Sequence, residues 1–218
     1  IWTSTDSGAN WVSRATSQDW WGITSSSDGT KLAATVWNGN IWTSTDSGAT
    51  WTSRATSQDW VGITSSSDGT KLAATVSGSG NIWTSTDSGA NWVSRATSQD
   101  WRGITSSSDG TKLAAAVASG NIWTSTDSGA NWVSRATSQY WRGITSSSDG
   151  TKLAATAYSS GNIWTSTDSG ANWVSRATSQ YWRGITSSSD GTKLAATAYS
   201  SGNIWTSTDS GANWVSRA

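Results

Sequence analysis

One eight-residue stretch recurs along the chain at a nearly fixed spacing. A unit of about 40 residues is too small to bury its own apolar faces, so such units must stack on one another. The chain is therefore predicted to be one repeat-built domain over residues 1–218. The stretch Ser4-Thr5-Asp6-Ser7-Gly8-Ala9-Asn10-Trp11 returns at intervals of 40 or 41 residues as Ser44–Trp51, Ser85–Trp92, Ser125–Trp132, Ser166–Trp173 and Ser207–Trp214.

The amino-acid alphabet is narrow. There are 19 Trp and 22 Gly but no Pro, Cys, Met, Phe or His, and all 14 acidic residues are Asp. Near-identical copies in so few residue types point to recent amplification or to design. The net charge of zero argues against electrostatic binding to nucleic acid or to an anionic membrane.

No targeting or membrane segment is visible in the sequence. Residues 1–15 lack the basic and apolar regions of a signal peptide, and this leaves an extracellular location open. The longest apolar run, near Leu113–Ala118, is too short to span a bilayer.

Each repeat is predicted to form four antiparallel strands. In residues 16–55 they are Trp20–Ser26, Lys31–Val36, Asn40–Thr45 and Thr50–Ala55, rich in β-branched and aromatic residues. Asp28-Gly29 supplies a tight turn between the first two strands. Between the last two strands, the Asp46 carboxylate can accept N–H groups of its own turn while Gly48 takes a positive φ.

The recurring stretch Ser4–Trp11 resembles the Asp-box, or BNR repeat, with the pattern Ser-x-Asp-x-Gly-x-x-Trp. Together with Ser26–Ala34, the repeat is similar to sialidase-like and photosystem-II-assembly-factor-like propeller repeats over the whole chain. The resemblance implies a β-propeller in which the Asp-box is a structural turn between strands three and four. Sialidases are expected to use an Arg triad and a Tyr-Glu pair, and this chain has no Glu, so the catalytic set does not carry over.

The two kinds of hairpin occur in unequal numbers. The hairpin of strands one and two occurs five times and the Asp-box hairpin six times. The predicted fold is therefore an all-β propeller of five four-stranded antiparallel blades plus an extra N-terminal half-blade hairpin. A sixth blade, shared or half-filled, is the alternative. The hairpin is residues 1–15, and the blades are about 16–55, 56–96, 97–136, 137–177 and 178–218.

The surplus hairpin bears on the oligomeric state. Residues 1–15 are identical to 204–218, so both hairpins compete for one place beside the strands at 182–200. A spare element of this kind is a route to domain swapping. The sequence thus predicts a homo-oligomer formed by hairpin exchange as one kind of partnership.

Sequence differences between repeats concentrate in two segments, the link before strand one and the link after strand two. In an up-and-down blade both links lie at the same end, and the two invariant turns lie at the other. The link segments supply the candidate ligand-binding residues: Asp19, Trp21, Trp37, Asn38, Asp59, Asp100, Arg102, Tyr140, Arg142, Tyr158, Tyr181, Arg183 and Tyr199.

These residue types suit a ligand rich in hydroxyl groups. Aromatic faces pack on sugar rings, and Asp, Asn and Arg direct hydrogen bonds to hydroxyls. Several shallow sites would gain avidity on a multivalent glycan. Neutral drift of tolerant loops explains the variation equally well.

Three recurring residues outside the links are predicted to be structural. Trp20 and its equivalents are assigned to the core. Arg54 and its equivalents are expected to pair with Asp of the next blade. Lys31 and its equivalents are expected to be solvated charges at sheet edges.

Enzymatic chemistry finds little support in the sequence. Without His, Cys or Glu there is no Ser-His-Asp or Cys-His constellation and no ordinary zinc site. The sequence predicts no catalytic residue, metal or cofactor. The leading hypothesis is a non-enzymatic, lectin-like binding module. The alternatives are a symmetric structural or designed scaffold without a small ligand and, third, a degenerate glycosidase relative.

Overall fold

A computed structural model describes residues 1–158, 161–199 and 202–217, with Thr178 described by its backbone alone. The described residues form strands and turns, and no helix able to cross a membrane occurs among them. The strands in chain order are β1 (Trp2–Thr3), β2 (Val12–Ser13), β3 (Trp20–Ser25), β4 (Leu32–Val36), β5 (Gly39–Ser44), β6 (Thr52–Gln58), β7 (Trp60–Ser65), β8 (Leu72–Val76), β9 (Gly80–Ser85), β10 (Val93–Gln99), β11 (Trp101–Ser106), β12 (Leu113–Val117), β13 (Gly120–Ser125), β14 (Val133–Gln139), β15 (Trp141–Ser146), β16 (Leu153–Ala157), β17 (Gly161–Ser166), β18 (Val174–Gln180), β19 (Trp182–Ser187), β20 (Leu194–Ala198), β21 (Ile204–Ser207) and β22 (Val215–Ser216).

These strands form five four-stranded antiparallel sheets and one two-stranded sheet. Each four-stranded sheet takes consecutive strands, from β3–β6 to β19–β22, and is called blade 1 to blade 5 here. The remaining sheet is the hairpin β1–β2. The predicted fold class of five blades plus an N-terminal hairpin is confirmed. Beside β20, the place of strand three is taken by β21, so the C-terminal hairpin completes blade 5.

Strand four of blades 1 to 4 is longer than the sequence predicts, whereas in blade 5 it is described only over Val215–Ser216. In blade 1 it runs to Gln58 instead of ending at Ala55. Ala55 has a φ of 54°, and the pairing register shifts between Gly39 and Ile41, which marks a β-bulge. The strand bends there and continues to within two residues of the next blade, so the blade limits derived from sequence remain approximate predictions.

Three indole rings form the centre of each blade. In blade 3, Trp101 is fully buried. Its ring lies 6.3 Å from that of Trp123 in an edge-to-face arrangement and 6.4 Å from that of Trp132, distances typical of favourable aromatic pairs. The same trio recurs in the other four blades. The core role predicted for the Trp20 equivalents is confirmed for Trp60, Trp101, Trp141 and Trp182, all fully buried.

In blades 2 to 4 the buried indole shares a cluster with alanine and isoleucine side chains of the preceding blade. Ala33 and Ile41 of blade 1 join one buried cluster with Trp60, Leu72 and Val76 of blade 2. A large-against-small fit lets neighbouring sheets approach closely with little void. A cavity between blades 3 and 4 has a volume of only about 10 Å³.

Glycine at the middle of strand one permits this approach. A Cβ on Gly62 would lie 2.7 Å from Thr75 Oγ1 and 3.1 Å from the carbonyl oxygen of Arg102 in the next blade. Both separations are too short for a side chain to be accommodated without movement. Backbone hydrogen bonds also join the blades just beyond the end of strand one, as from Ser27 N to the Ser67 carbonyl oxygen at 2.8 Å.

The lysines and arginines make contacts other than those predicted. Lys31 Nζ donates to the Asp68 carbonyl oxygen of the next blade at 3.0 Å, and the bond recurs for the next three lysines of the series. These contacts are exposed, and the sequence does not predict the bond between blades. Arg54 Nε donates to Thr43 Oγ1 of its own hairpin at 3.3 Å. Among the described residues Arg54 forms no ion pair, so the predicted pairing with Asp of the next blade is wrong.

The Asp turn between strands three and four satisfies its own polar groups. Asp46 Oδ1 accepts from Thr50 N at 2.8 Å and from Ser44 Oγ at 2.8 Å, and Trp51 Nε1 donates to the Gly48 carbonyl oxygen. Hydrogen bonds from Thr50 and then Ser44 lower the pKa of Asp46 from 3.8 to about 2. The side chain thus holds the turn in its ionised form.

Replacement of one central indole should cost much of a blade's stability. We expect Trp101→Ala to lower the free energy of unfolding by about 3–5 kcal/mol, because the cavity left between blades cannot collapse. Urea denaturation followed by circular dichroism measures this. Trp21→Ala, which removes a ring that is 57% exposed, is the matched control and should cost less than about 1 kcal/mol. Equal losses would contradict the assignment of the core.

The carboxylates of the turns predict a specific loss of stability in acid. Nine of them have pKa values lowered to about 2, mostly by hydrogen bonds from Ser, Thr or Asn of the same turn. A carboxylate whose pKa is lower in the folded than in the unfolded state stabilises the fold at any pH above its unfolded pKa, which is 3.8 here. It loses this contribution as the pH falls toward its folded pKa.

We therefore expect the melting temperature to stay nearly constant from pH 7 to about 5 and to fall between about pH 4 and 2. Thermal unfolding followed by tryptophan fluorescence across this range is the measurement. Asp46→Asn, which removes one titrating group, should be less stable at pH 7 and show a shallower acid decline. A melting temperature that is unchanged at pH 2 would exclude this role for the turns.

Candidate functional site

The two variable segments of each blade are joined by backbone hydrogen bonds. In blade 1 the N–H of Trp37 donates to the Asp19 carbonyl oxygen at 2.9 Å, and in blade 4 the N–H of Tyr158 donates to that of Tyr140 at 2.8 Å. Equivalent bonds occur in blades 2, 3 and 5. The links therefore lie side by side at one end of every blade, and this end is called the link face. Ser159, Ser160, Ser200 and Ser201 of these links fall outside the described residues.

Blade 1 presents a pair of tryptophans on the link face. The rings of Trp21 and Trp37 are 5.3 Å apart with an interplanar angle of 38°. Trp21 is 57% exposed, although it lies next to the core residue Trp20. Asp19 and Asn38 are exposed beside the pair, and Asn38 has a φ of 50°. The four candidate residues of this blade lie together.

Blades 2 and 3 present a more polar surface. Asp100 pairs with Arg102 at 3.0 Å, the one ion pair among the described residues. Its other carboxylate oxygen accepts from the Gly78 N–H of blade 2 at 3.0 Å, so Asp100 bridges two blades. Asp59 is half-buried, and Val61, which takes the place of Trp21, is buried. The candidate residues of blade 2 and blade 3 do not form an aromatic surface.

Blades 4 and 5 carry a continuous row of tyrosines and arginines. The row consists of Tyr140, Arg142, Tyr158, Tyr181, Arg183 and Tyr199 and is called the Tyr–Arg row.

The Tyr158 ring is at the centre of this row. It lies 5.8 Å from the ring of Tyr140 and 5.8 Å from that of Tyr181 in the next blade. The guanidinium carbons of Arg142 and Arg183 lie 5.1 and 5.9 Å from its centroid, within the range of cation–π attraction. The aromatic contacts thus extend across a blade junction.

Most of the aspartates lie in turns, away from the link face. Among the described residues, no three His, Cys, Asp or Glu side chains form a group able to hold a metal ion. Eleven of the 14 aspartates accept hydrogen bonds in the Asp turns or Asp-Gly turns, and the depressed pKa of each keeps it ionised. The exposed aromatic faces and guanidinium donors are features of binding surfaces.

Sequence reasoning missed a second surface beside the hairpin β1–β2. Its groove of about 780 Å³ is lined by Trp2, Trp11, Ile23 and Leu32, among others. Ile23 is 56% exposed, whereas its equivalents Ile63, Ile104 and Ile144 are buried. The unequal count of hairpins was the signal that could have indicated it, because strands without their full set of neighbours leave apolar side chains uncovered.

A scan of family models finds no match to the chain, and a search of curated protein sequences finds none either. Solved structures do match. The GH74 enzyme of Niastella koreensis has a TM-score of 0.70 at 22% identity, covering 94% of this chain and 32% of that chain. Nidogen in its complex with laminin has a TM-score of 0.74 at 15% identity, covering 97% of this chain and 84% of that chain.

YCF48 bound to a D1 peptide has a TM-score of 0.63 at 15% identity, covering 95% of this chain and 84% of that chain. The fold is that of a β-propeller. The chain spans about a third of the length of the GH74 enzyme. Propellers serve both enzymes and proteins that bind other chains, so the shared fold alone does not decide the activity.

Proposed function

We propose that this β-propeller is a non-enzymatic binding module that holds a glycan across its link face. The observation that carries the proposal is the pair of exposed aromatic surfaces at one end of the blades. One is Trp21 with Trp37, whose rings are 5.3 Å apart. The other is the Tyr–Arg row, in which the Tyr158 ring lies 5.8 Å from the rings of Tyr140 and Tyr181.

The chemistry of these surfaces favours sugars over compact apolar ligands. Indole and phenol faces pack on the C–H faces of pyranose rings, while hydroxyl, amide and guanidinium groups at their edges bond to hydroxyls. Asp19 and Asn38 lie beside the tryptophan pair, and two arginines adjoin the tyrosines. Both surfaces are open and shallow, so each would bind weakly, and a polymer touching both would gain avidity.

Several features support binding over hydrolysis. A glycosidase needs two carboxyl groups placed on either side of the bond, and most aspartates here are committed to turns. On the link face only Asp19, Asp59 and Asp100 remain, and Asp100 is paired with Arg102. The likeness to the GH74 enzyme is one of fold, at 22% identity.

The repeated turn supports a narrower relationship. Its Ser, Asp, Gly and Trp side chains act within the turn itself, as in the bond from Ser44 Oγ to Asp46 Oδ1. We propose on this basis that the chain is an Asp-box propeller. Near-identical blades suit recent amplification or deliberate design, followed by divergence of the links.

The tryptophan pair gives the direct test. We expect a glycan array to return at least one polysaccharide ligand. Loss of a stacked aromatic residue should weaken its binding in Trp21→Ala and in Trp37→Ala by about tenfold or more. Val93→Ala, which removes an exposed apolar side chain at the start of β10, at the turn end of the blade, is the control and should bind normally. Absence of binding to every glycan would favour a scaffold without a small ligand.

A second candidate role, homo-oligomerisation by hairpin exchange, is favoured by one observation. Trp2 and Trp11 are 62% and 58% exposed, whereas the matching Trp205 and Trp214 pack on Trp182. The hairpin β1–β2 would gain the same contacts on the β19–β20 strands of a second copy once that copy's own β21–β22 hairpin leaves its place beside β20. Exposed apolar surface of this kind commonly marks an interaction site.

Solution mass checks this role. We expect light scattering to show oligomers whose population falls in Trp2→Ser/Trp11→Ser, because the exchanged hairpin would lose its indole contacts. Trp21→Ser/Trp37→Ser removes one exposed and one half-buried indole from the link face and should leave the mass unchanged. A monomer at all concentrations would rule out hairpin exchange.

A further inference from the structure

We infer that the Tyr–Arg row of blades 4 and 5 binds an acidic polysaccharide, one that bears carboxylate or sulfate groups. This rests on the proposed function and narrows it to a class of glycan and to one sector of the link face. The residues on either side of the first tryptophan of strand one differ in charge between neighbouring blades.

The arginines of blades 4 and 5 lack the carboxylate partner that the equivalent arginine has in blade 3. In blade 3, Asp100 precedes the buried Trp101 and Arg102 follows it, and the two charges pair at 3.0 Å. In blades 4 and 5 the arginine is kept as Arg142 and Arg183, but tyrosine replaces the aspartate. No ion pair involves either arginine among the described residues. The two guanidinium charges are therefore uncompensated.

Tyrosine rings hold these two arginines in place without neutralising their charge. Arg142 and Arg183 both adjoin the Tyr158 ring, and Arg183 also lies 5.2 Å from the centroid of Tyr199. A guanidinium group beside a ring face keeps N–H donors in its own plane. Such a group is pre-organised to form a bidentate bond with a carboxylate or sulfate.

Charge is unevenly distributed over the link face. In blades 1 and 2, Asp19 and Asp59 are kept while Trp21 and Val61 stand where arginine stands later. Charge thus changes from negative at blades 1 and 2, through a neutral pair at blade 3, to positive at blades 4 and 5. Because the chain has no net charge, this local separation decides where an anion binds.

The positive charges of the Tyr–Arg row lie beside aromatic rings that can contact sugars. The rings of Tyr140, Tyr158 and Tyr181 offer packing surfaces for sugar rings, and their hydroxyls can bond to sugar hydroxyls. Two arginines beside one tyrosine suit a polymer that presents anions repeatedly. A neutral glycan would use the tyrosines and leave the guanidinium groups without a charged partner.

Titration calorimetry on the intact chain tests this with defined oligosaccharides: an oligogalacturonate, a sulfated galactan and the same galactan without sulfate. We expect both anionic sugars to bind about tenfold or more tighter than the neutral one, given the strength of charge-assisted hydrogen bonds. Raising NaCl from about 0.05 to 0.5 M should reduce that difference, because salt screens exposed charges.

The blades themselves supply the variants. Tyr140→Asp/Tyr181→Asp restores the carboxylate seen in blade 3 and should abolish the preference for the anionic sugars. Asp100→Tyr releases Arg102 and should increase anionic binding severalfold. Both changes insert a residue that a neighbouring blade already accommodates, and circular dichroism confirms that each variant folds.

The outcomes separate this inference from the function it rests on. Equal affinity for neutral and anionic sugars would overturn the inference and keep the glycan-binding role. Binding to no sugar would overturn both. Anionic binding that survives Tyr140→Asp/Tyr181→Asp would remove the site from the Tyr–Arg row, and equal affinity for an acidic peptide would reject a polysaccharide as the ligand class.

Discussion

Packing of a three-indole cluster on the small side chains of the preceding blade is the contact on which this structure depends. The chain has no Phe or Met, and its strands are rich in Ser and Thr, so no other side chain supplies comparable apolar area. All tryptophans except Trp2, Trp11, Trp21 and Trp37 belong to such clusters. The alanines of strand two matter equally, because larger residues would hold the sheets apart.

The two ends of the blades have different physical tasks. At one end the Asp turns satisfy their polar groups internally, and Lys31 Nζ bonds to the next blade, so sequence change there would break several hydrogen bonds at once. At the other end the links are joined mainly through backbone atoms, which any side chain permits. Variation is therefore tolerated at the link face and excluded at the turns, whether or not the link residues bind a ligand.

Much of the architecture is predictable from the sequence, because four strands per repeat, the two turn types and the buried Trp101 position follow from periodicity and residue type. The bulge at Ala55 is not predictable from the sequence, because alanine, unlike glycine, does not indicate a positive φ. The contacts of Lys31 and Arg54 depend on where a neighbouring strand lies. For the candidate site, strand parity places the links together, but the row centred on Tyr158 requires the distance between adjacent blades.

The graded charge of the link face has a directional consequence. A long ligand laid from blade 1 toward blade 5 meets an indole pair, then a carboxylate–guanidinium pair, then a phenol-lined cationic stretch. Reversing the ligand end for end would exchange its contacts with Trp21 and Tyr158, so a polymer with unlike ends would have one preferred orientation. Blades that are nearly the same in sequence would in this way distinguish the two ends of a polymer ligand.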